Sequence, residues 1–119
     1  MATPPIYDDT APIVCTISHD ETPDRLDLLA RLRTALTVVE RTDHGLVLRF
    51  PARDDVEADV RRFAADEQRC CRFWGFDVTA TDADVTLRWD GPPATALLLD
   101  QLLGYFRGDQ PVTALTGLL

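Results

Sequence analysis

The sequence predicts an α+β fold, a two-layer α-β-β-α-β-β-α sandwich whose four-stranded antiparallel sheet carries its helices on one face. Three observations lead there. Val39–Phe50 and Val78–Trp89 align without gaps, and each reads as a strand, a Thr-Asp turn and a second strand of alternating character. A helical apolar pattern follows each of them, from Asp54 to about Cys70 and from Pro93 to about Phe106. A third helical pattern precedes the first hairpin. The unit is ββα, present twice, so an internal repeat is part of the prediction.

The elements follow in order. Residues 1–12 hold Pro4, Pro5 and Pro12 and little periodicity, which predicts a flexible lead-in to a single domain over 13–107, with 108–119 as a C-terminal tail. Ile13–Ile17 is expected to be extended and docked on that domain. Thr22-Pro23 offers a capping hydroxyl and a proline at the first helical position. Leu26, Leu29, Ala30 and Leu36, widened by Leu28 and Leu32, then carry a first helix to about Thr37. In the hairpins Leu46, Leu48 and Phe50 point one way, as do Val85, Leu87 and Trp89, while Arg49 and Arg88 point the other. The arginine-bearing face is therefore expected to be wet. The third helix, rich in leucine over Ala96–Leu103, is apolar on more than one side, open either to a homodimer contact or to burial by the tail up to Leu119.

Composition narrows the function. A chain of 119 residues can bury one core without staples. A formal net charge of -8 and a pI near 4.5 oppose direct binding to nucleic acid or anionic lipid. No apolar run reaches the roughly 18 residues of a membrane span. The N-terminus has no basic region followed by an apolar core, so no secretory signal is visible and a cytoplasmic location is expected. In that reducing compartment the three cysteines are expected as thiols. Cys70 and Cys71 also make poor partners for each other: adjacent Cα atoms lie about 3.8 Å apart, short of the roughly 4.4–6.8 Å of ordinary bridges.

The second helix holds the candidate site. Val56, Val60, Phe63 and Ala64 define its buried stripe, and Glu67 falls near the middle of that stripe, with Cys70 and Cys71 on either side. A carboxylate there is costly unless a cation, a backbone N–H, a shared proton or a metal satisfies it. The structural alternative has Glu67 reaching water from the last turn or pairing with Arg62, Arg69 or Arg72. A buried cysteine, likewise, is often only a small hydrophobe.

The motif Glu67-x-x-Cys70-Cys71-x-Phe73, closing a helix and entering an aromatic strand, resembles a family of small uncharacterised bacterial proteins that share E-x-x-C-C-x-F. Similar domains occur fused behind MerR-type DNA-binding domains. Those relatives carry an early Cys-x-Leu before their first helix, where Cys15-Thr16-Ile17 stands here, and a strand ending in R-F-P, matched by Arg49-Phe50-Pro51. The resemblance runs from about Cys15 to Phe106. Arg72 departs from the family's usual proline or small residue, and no DNA-binding extension is expected. By association, the resemblance implies heavy-metal or thiol chemistry.

Three chemistries fit these residues. Thiolates select zinc, cuprous copper, mercury or similar soft ions, and Cys15, Cys70 and Cys71 with His19 could form a Cys₃His set, with Glu67 as ligand or supporting base. Alternatively Cys70 or Cys71 attacks in a thiol redox enzyme and a second cysteine resolves. A third option is protonolysis of a carbon–metal bond, with two thiolates holding the metal and Glu67 supplying the proton. The bland alternative is a structural or interaction domain with core cysteines. His44, in the Thr-Asp-His-Gly turn, is expected to be structural or exposed. No phosphate-cradling loop, Ser/His/Asp set or paired-carboxylate motif stands out.

Overall fold

In the computed structural model, residues 5–7, 10–11, 22–53 and 55–108 are described. The elements are α1 (Thr22–Ala35), β1 (Val38–Arg41), β2 (Gly45–Pro51), α2 (Val56–Cys70), β3 (Gly75–Ala80), β4 (Asp84–Asp90) and α3 (Ala96–Arg107), the last entered through a 3-10 turn over Pro93–Thr95. The four strands form one antiparallel sheet in the order β1-β2-β4-β3. The α+β architecture read from the sequence is the one observed.

The internal repeat extends through the whole ββα unit. A shift of 39 positions, Val39 onto Val78, carries β2 residue for residue onto β4. It also carries the turn bonding. Thr42 N–H donates to Gly45 C=O as Thr81 N–H does to Asp84 C=O, both at 2.8 Å. The Thr42 and Thr81 hydroxyls accept from the Gly45 and Asp84 N–H groups at 2.9 and 3.0 Å. Each turn is thus closed by its own threonine, which explains the recurring Thr-Asp. The helices cross over: α2, which follows the first hairpin, packs on β3 and β4, and α3, which follows the second, packs on β1 and β2.

The core lies between sheet and helices. Leu46, Leu48, Phe50, Val85, Leu87 and Trp89 face it from β2 and β4, as the alternation predicts. Val60, Phe63 and Ala64 meet them from α2, and Leu99, Leu102, Tyr105 and Phe106 from α3. The face of α1 differs from the expected one. Leu28, Leu29 and Leu32 are buried, Leu26 is half-buried and Ala30 is exposed. The helix packs against α2 rather than flat on the sheet, so its centre of burial is set by that neighbour. It also stops at Ala35, two residues short of the expected end, because the Thr37 N–H and hydroxyl both bond the Arg49 carbonyl at 2.9 and 2.8 Å. That bonding draws the β-branched Thr37-Val38-Val39 into the sheet.

The arginine-bearing face is only partly wet. Arg49 is exposed, but at the other end Asp90 is 1% exposed and stands in register between Gly45 and Gly75. Residues 5–7, part of the expected lead-in, lie across this row. The Ile6 N–H donates to Asp90 Oδ2 at 3.2 Å, and Ile6 and Tyr7 backbone atoms occupy the place a Cβ on Gly75 would need. No helix among the described residues is long and apolar enough to cross a membrane. Leu97 on α3 is 69% exposed, and the tail expected to cover that helix lies outside the described residues beyond Gly108.

Candidate functional site

The C-terminal end of α2 gathers the described part of the candidate site. Its amphipathic stripe runs Val60, Phe63, Ala64 and Glu67, and Cys71 continues it one turn on. Glu67 and Cys71 are each 1% exposed. The Cys71 N–H donates to the Glu67 carbonyl at 2.6 Å, so Cys71 keeps the helical i,i+4 relation to Glu67 although α2 ends at Cys70. The chain then reverses, with Trp74 N–H donating to the Cys71 carbonyl at 3.1 Å and the Gln68 amide reaching the Trp74 carbonyl at 3.3 Å. This reversal buries Phe73 and Trp74 beneath the helix end, their ring centroids 4.5 Å apart, and leaves Arg72 exposed.

The alternative in which Glu67 reaches water is excluded by its burial. Two of the arginines considered as its partners approach a neighbouring acid: Arg62 and Arg69 each lie 3.7 Å from Asp66.

The expectation of three thiols is corrected at Cys71, which is disulfide-bonded. Spacing gives the distance between sulfurs along the chain, whereas bridging depends on where a packed core brings them together. The partner sulfur lies outside the described side chains. Cys15, with the extended stretch Ile13–Ile17, and His19 lie outside the described residues, as does the side chain of Cys70. Of the proposed ligands, the described side chains are those of Glu67 and Cys71, both buried and joined through the backbone bond one turn apart. Among the described residues no group of three or more His, Cys, Asp or Glu side chains is placed to hold a metal ion.

His44 is half-buried and structural in its bonding. Its carbonyl accepts from Gly91 N–H at 2.8 Å, and its ring lies 6.1 Å from that of Tyr7. Two hollows of about 230 Å³ each flank it, one lined by Thr42, Val47 and Arg88 and one by Arg41, Pro92 and Leu99. Neither touches Cys71.

A second buried acid escaped sequence reasoning. Asp90 accepts from Arg88 Nη2 at 2.7 Å through Oδ2, while its Oδ1 is buried with no hydrogen-bond partner among the described residues. The outward-facing alternation that placed Arg88 correctly assigns Asp90 to solvent, and nothing local signals that residues 5–7 cover it. The two glycines opposite it were the readable trace, since a strand glycine often marks a close backbone approach.

No protein-family profile, curated protein or solved structure matches the chain.

Proposed function

We propose that the protein works through sulfur redox chemistry at the C-terminal end of α2, with Cys71 passing between disulfide and thiol. The observation that carries this reading is the disulfide bond of Cys71 at the end of a helix whose stripe also buries a carboxylate. The resemblance of Glu67-x-x-Cys70-Cys71-x-Phe73 to a family tied by association to thiol and heavy-metal chemistry points the same way. A disulfide that cycles is compatible with a reducing compartment, where such bonds are transient and functional rather than structural.

A second reading is favoured by the burial of Glu67 one turn from that sulfur. In the reduced protein Cys15, Cys70 and Cys71 would supply thiolates to a soft ion such as zinc, cuprous copper or mercury, and Glu67 would complete or support the set. Reduction must come first in this reading, because a disulfide sulfur is not a thiolate donor.

The deciding experiment equilibrates the protein in graded dithiol redox buffers and scores Cys71 by alkylation and mass spectrometry. Reversible titration above about −300 mV supports a working disulfide, whereas a lower potential marks a structural staple and removes the redox reading. The reduced protein is then offered zinc, cuprous and mercuric ions in competition with a chelator. Tight one-to-one uptake that is lost in Cys71→Ser supports the second reading; weak uptake unaffected by that substitution ends it.

A further inference from the structure

One end of the sheet's outer face is covered by chain rather than by solvent. Gly45, Asp90 and Gly75 stand in register there on three adjacent strands, and two of the three carry no side chain. Extended chain can therefore lie flat on the row, and residues 5–7 do so. The Ile6 N–H donates to Asp90 Oδ2 at 3.2 Å, and the Ile6 and Tyr7 backbone fills the space that a Cβ on Gly75 would take. The Tyr7 ring lies against that of His44, next to Gly45, and further along Ala11 packs against the core.

These contacts make a small, specific seat. Asp90 is 1% exposed and bonds Arg88 Nη2 at 2.7 Å, so its carboxylate is already positioned for the Ile6 N–H. An ionised acceptor makes that bond roughly twice as strong as a neutral one. The segment itself belongs to no strand of the sheet. It is recognised by one donor, by bare backbone facing a glycine and by one ring, and none of these uses the covalent link between segment and domain. The ten residues 12–21 between Ala11 and α1 have a contour of at most about 33–36 Å, longer than the 26 Å shortest extent of the molecule.

We propose that the Gly45–Asp90–Gly75 row is a self-recognition seat, which takes residues 5–7 of a second copy in exchange for its own. An exchanged pair keeps every contact of the closed monomer, so exchange costs little. The covalent link decides when it occurs. A short link gives an effective concentration of the order of 1 mM, so a seat filled to about nine-tenths by its own segment has an intrinsic dissociation constant of about 0.1 mM. Exchange between copies therefore needs crowding to about millimolar, or a chain whose own segment is disabled.

Two full-chain variants separate seat from segment. Ile6→Pro removes the donating N–H and leaves the seat intact, whereas Gly75→Ala blocks the seat and leaves the segment intact. Chymotryptic cleavage after Tyr7 should be at least about fivefold faster in each than in wild type, because cleavage follows the released population. Each variant alone should sediment as a monomer at about 0.3 mM, and their equimolar mixture as a one-to-one heterodimer with the Gly75→Ala segment in the Ile6→Pro seat. Far-ultraviolet circular dichroism checks folding. Should Gly75→Ala fail to fold or to release its segment, a synthetic peptide of residues 1–12 is titrated onto the Ile6→Pro protein instead. It should bind at about 0.1 mM, about tenfold or more tighter than the same peptide carrying Ile6→Pro. Cleavage of the Ile6→Pro protein no faster than wild type would show that Asp90 does not hold the segment. A released Ile6→Pro protein that takes up neither partner, or binds both peptides alike, would show that the seat does not recognise the segment in a second copy. Either result overturns the proposal.

Discussion

Leu48 and Leu87 stand opposite each other in the central strand pair, and each is the image of the other under the 39-residue shift. The pseudo-two-fold axis that relates the two ββα units therefore passes through this pair. Around it Leu46 faces Trp89 and Phe50 faces Val85, positions that the shift exchanges in turn. The exchange of helices between hairpins follows from the same symmetry, and it places both halves of the core around one centre.

A shared centre should behave as one packing unit. Leu48→Ala and Leu87→Ala are each expected to cost about 2–5 kcal/mol, since both side chains are fully buried. The double variant should depart from the sum by at least about 0.5 kcal/mol, because the two cavities adjoin. Urea denaturation of the four proteins measures this. Strict additivity would mean that the halves pack independently and that the symmetry is one of topology only.

The row Gly45–Asp90–Gly75 gives a prediction of contrast. A Cβ on Gly75 meets the backbone of Ile6 and Tyr7, which lie outside the sheet, whereas one on Gly45 meets the main chain of Trp89 and Asp90 inside it. Gly75→Ala should therefore cost only about 1 kcal/mol and release residues 5–7 to proteolysis, while Gly45→Ala should cost about 3 kcal/mol or more. Thermal melts and timed protease digestion separate the two. Equal costs would show that residues 5–7 are as firmly held as the sheet.

Trp89 lies at the hub of an aromatic cluster, with Phe63, Trp74 and Phe76 centroids 5.4, 5.4 and 5.1 Å away, yet its Nε1 has no hydrogen-bond partner among the described residues. Its contribution is thus packing, reduced by an unmet donor. Trp89→Phe keeps most ring contacts and removes that donor, so it should cost no more than about 1.5 kcal/mol, against about 3–5 kcal/mol for Trp89→Ala. Chemical denaturation decides it, and a Phe variant as weak as the Ala variant would mean that the indole N–H is satisfied in solution.

These outcomes bear on what the sequence could and could not announce. Alternation revealed the core face of β2 and β4 because side-chain direction in a strand is a local property, and the helical wheel placed Glu67 in the buried stripe for the same reason. Leu26 and Ala30 misled because the buried arc of α1 is chosen by α2, a neighbour that periodicity does not see. Asp90 was hidden because its cover comes from Ile6, 84 positions away. The bond of Cys71 was hidden for a like reason: residue type was legible, whereas proximity to a second sulfur is a property of the folded chain.

The same contrast frames the energetics of Glu67. Replacing a buried ionic pair as a whole by apolar side chains is often neutral or stabilising by about 1–4 kcal/mol, whereas removing one partner alone leaves the other uncompensated. Phe106 shows that the scaffold accepts an aromatic ring at the equivalent place under the 39-residue shift, but Glu67 makes an interaction of its own, so Glu67→Leu should cost about 1–3 kcal/mol. Calorimetric melts of the oxidised wild type and variant test it under one set of conditions. An unchanged or higher melting temperature would instead mean that the interaction of the carboxyl contributes nothing to folding, and that an acid at this buried position is not kept for stability.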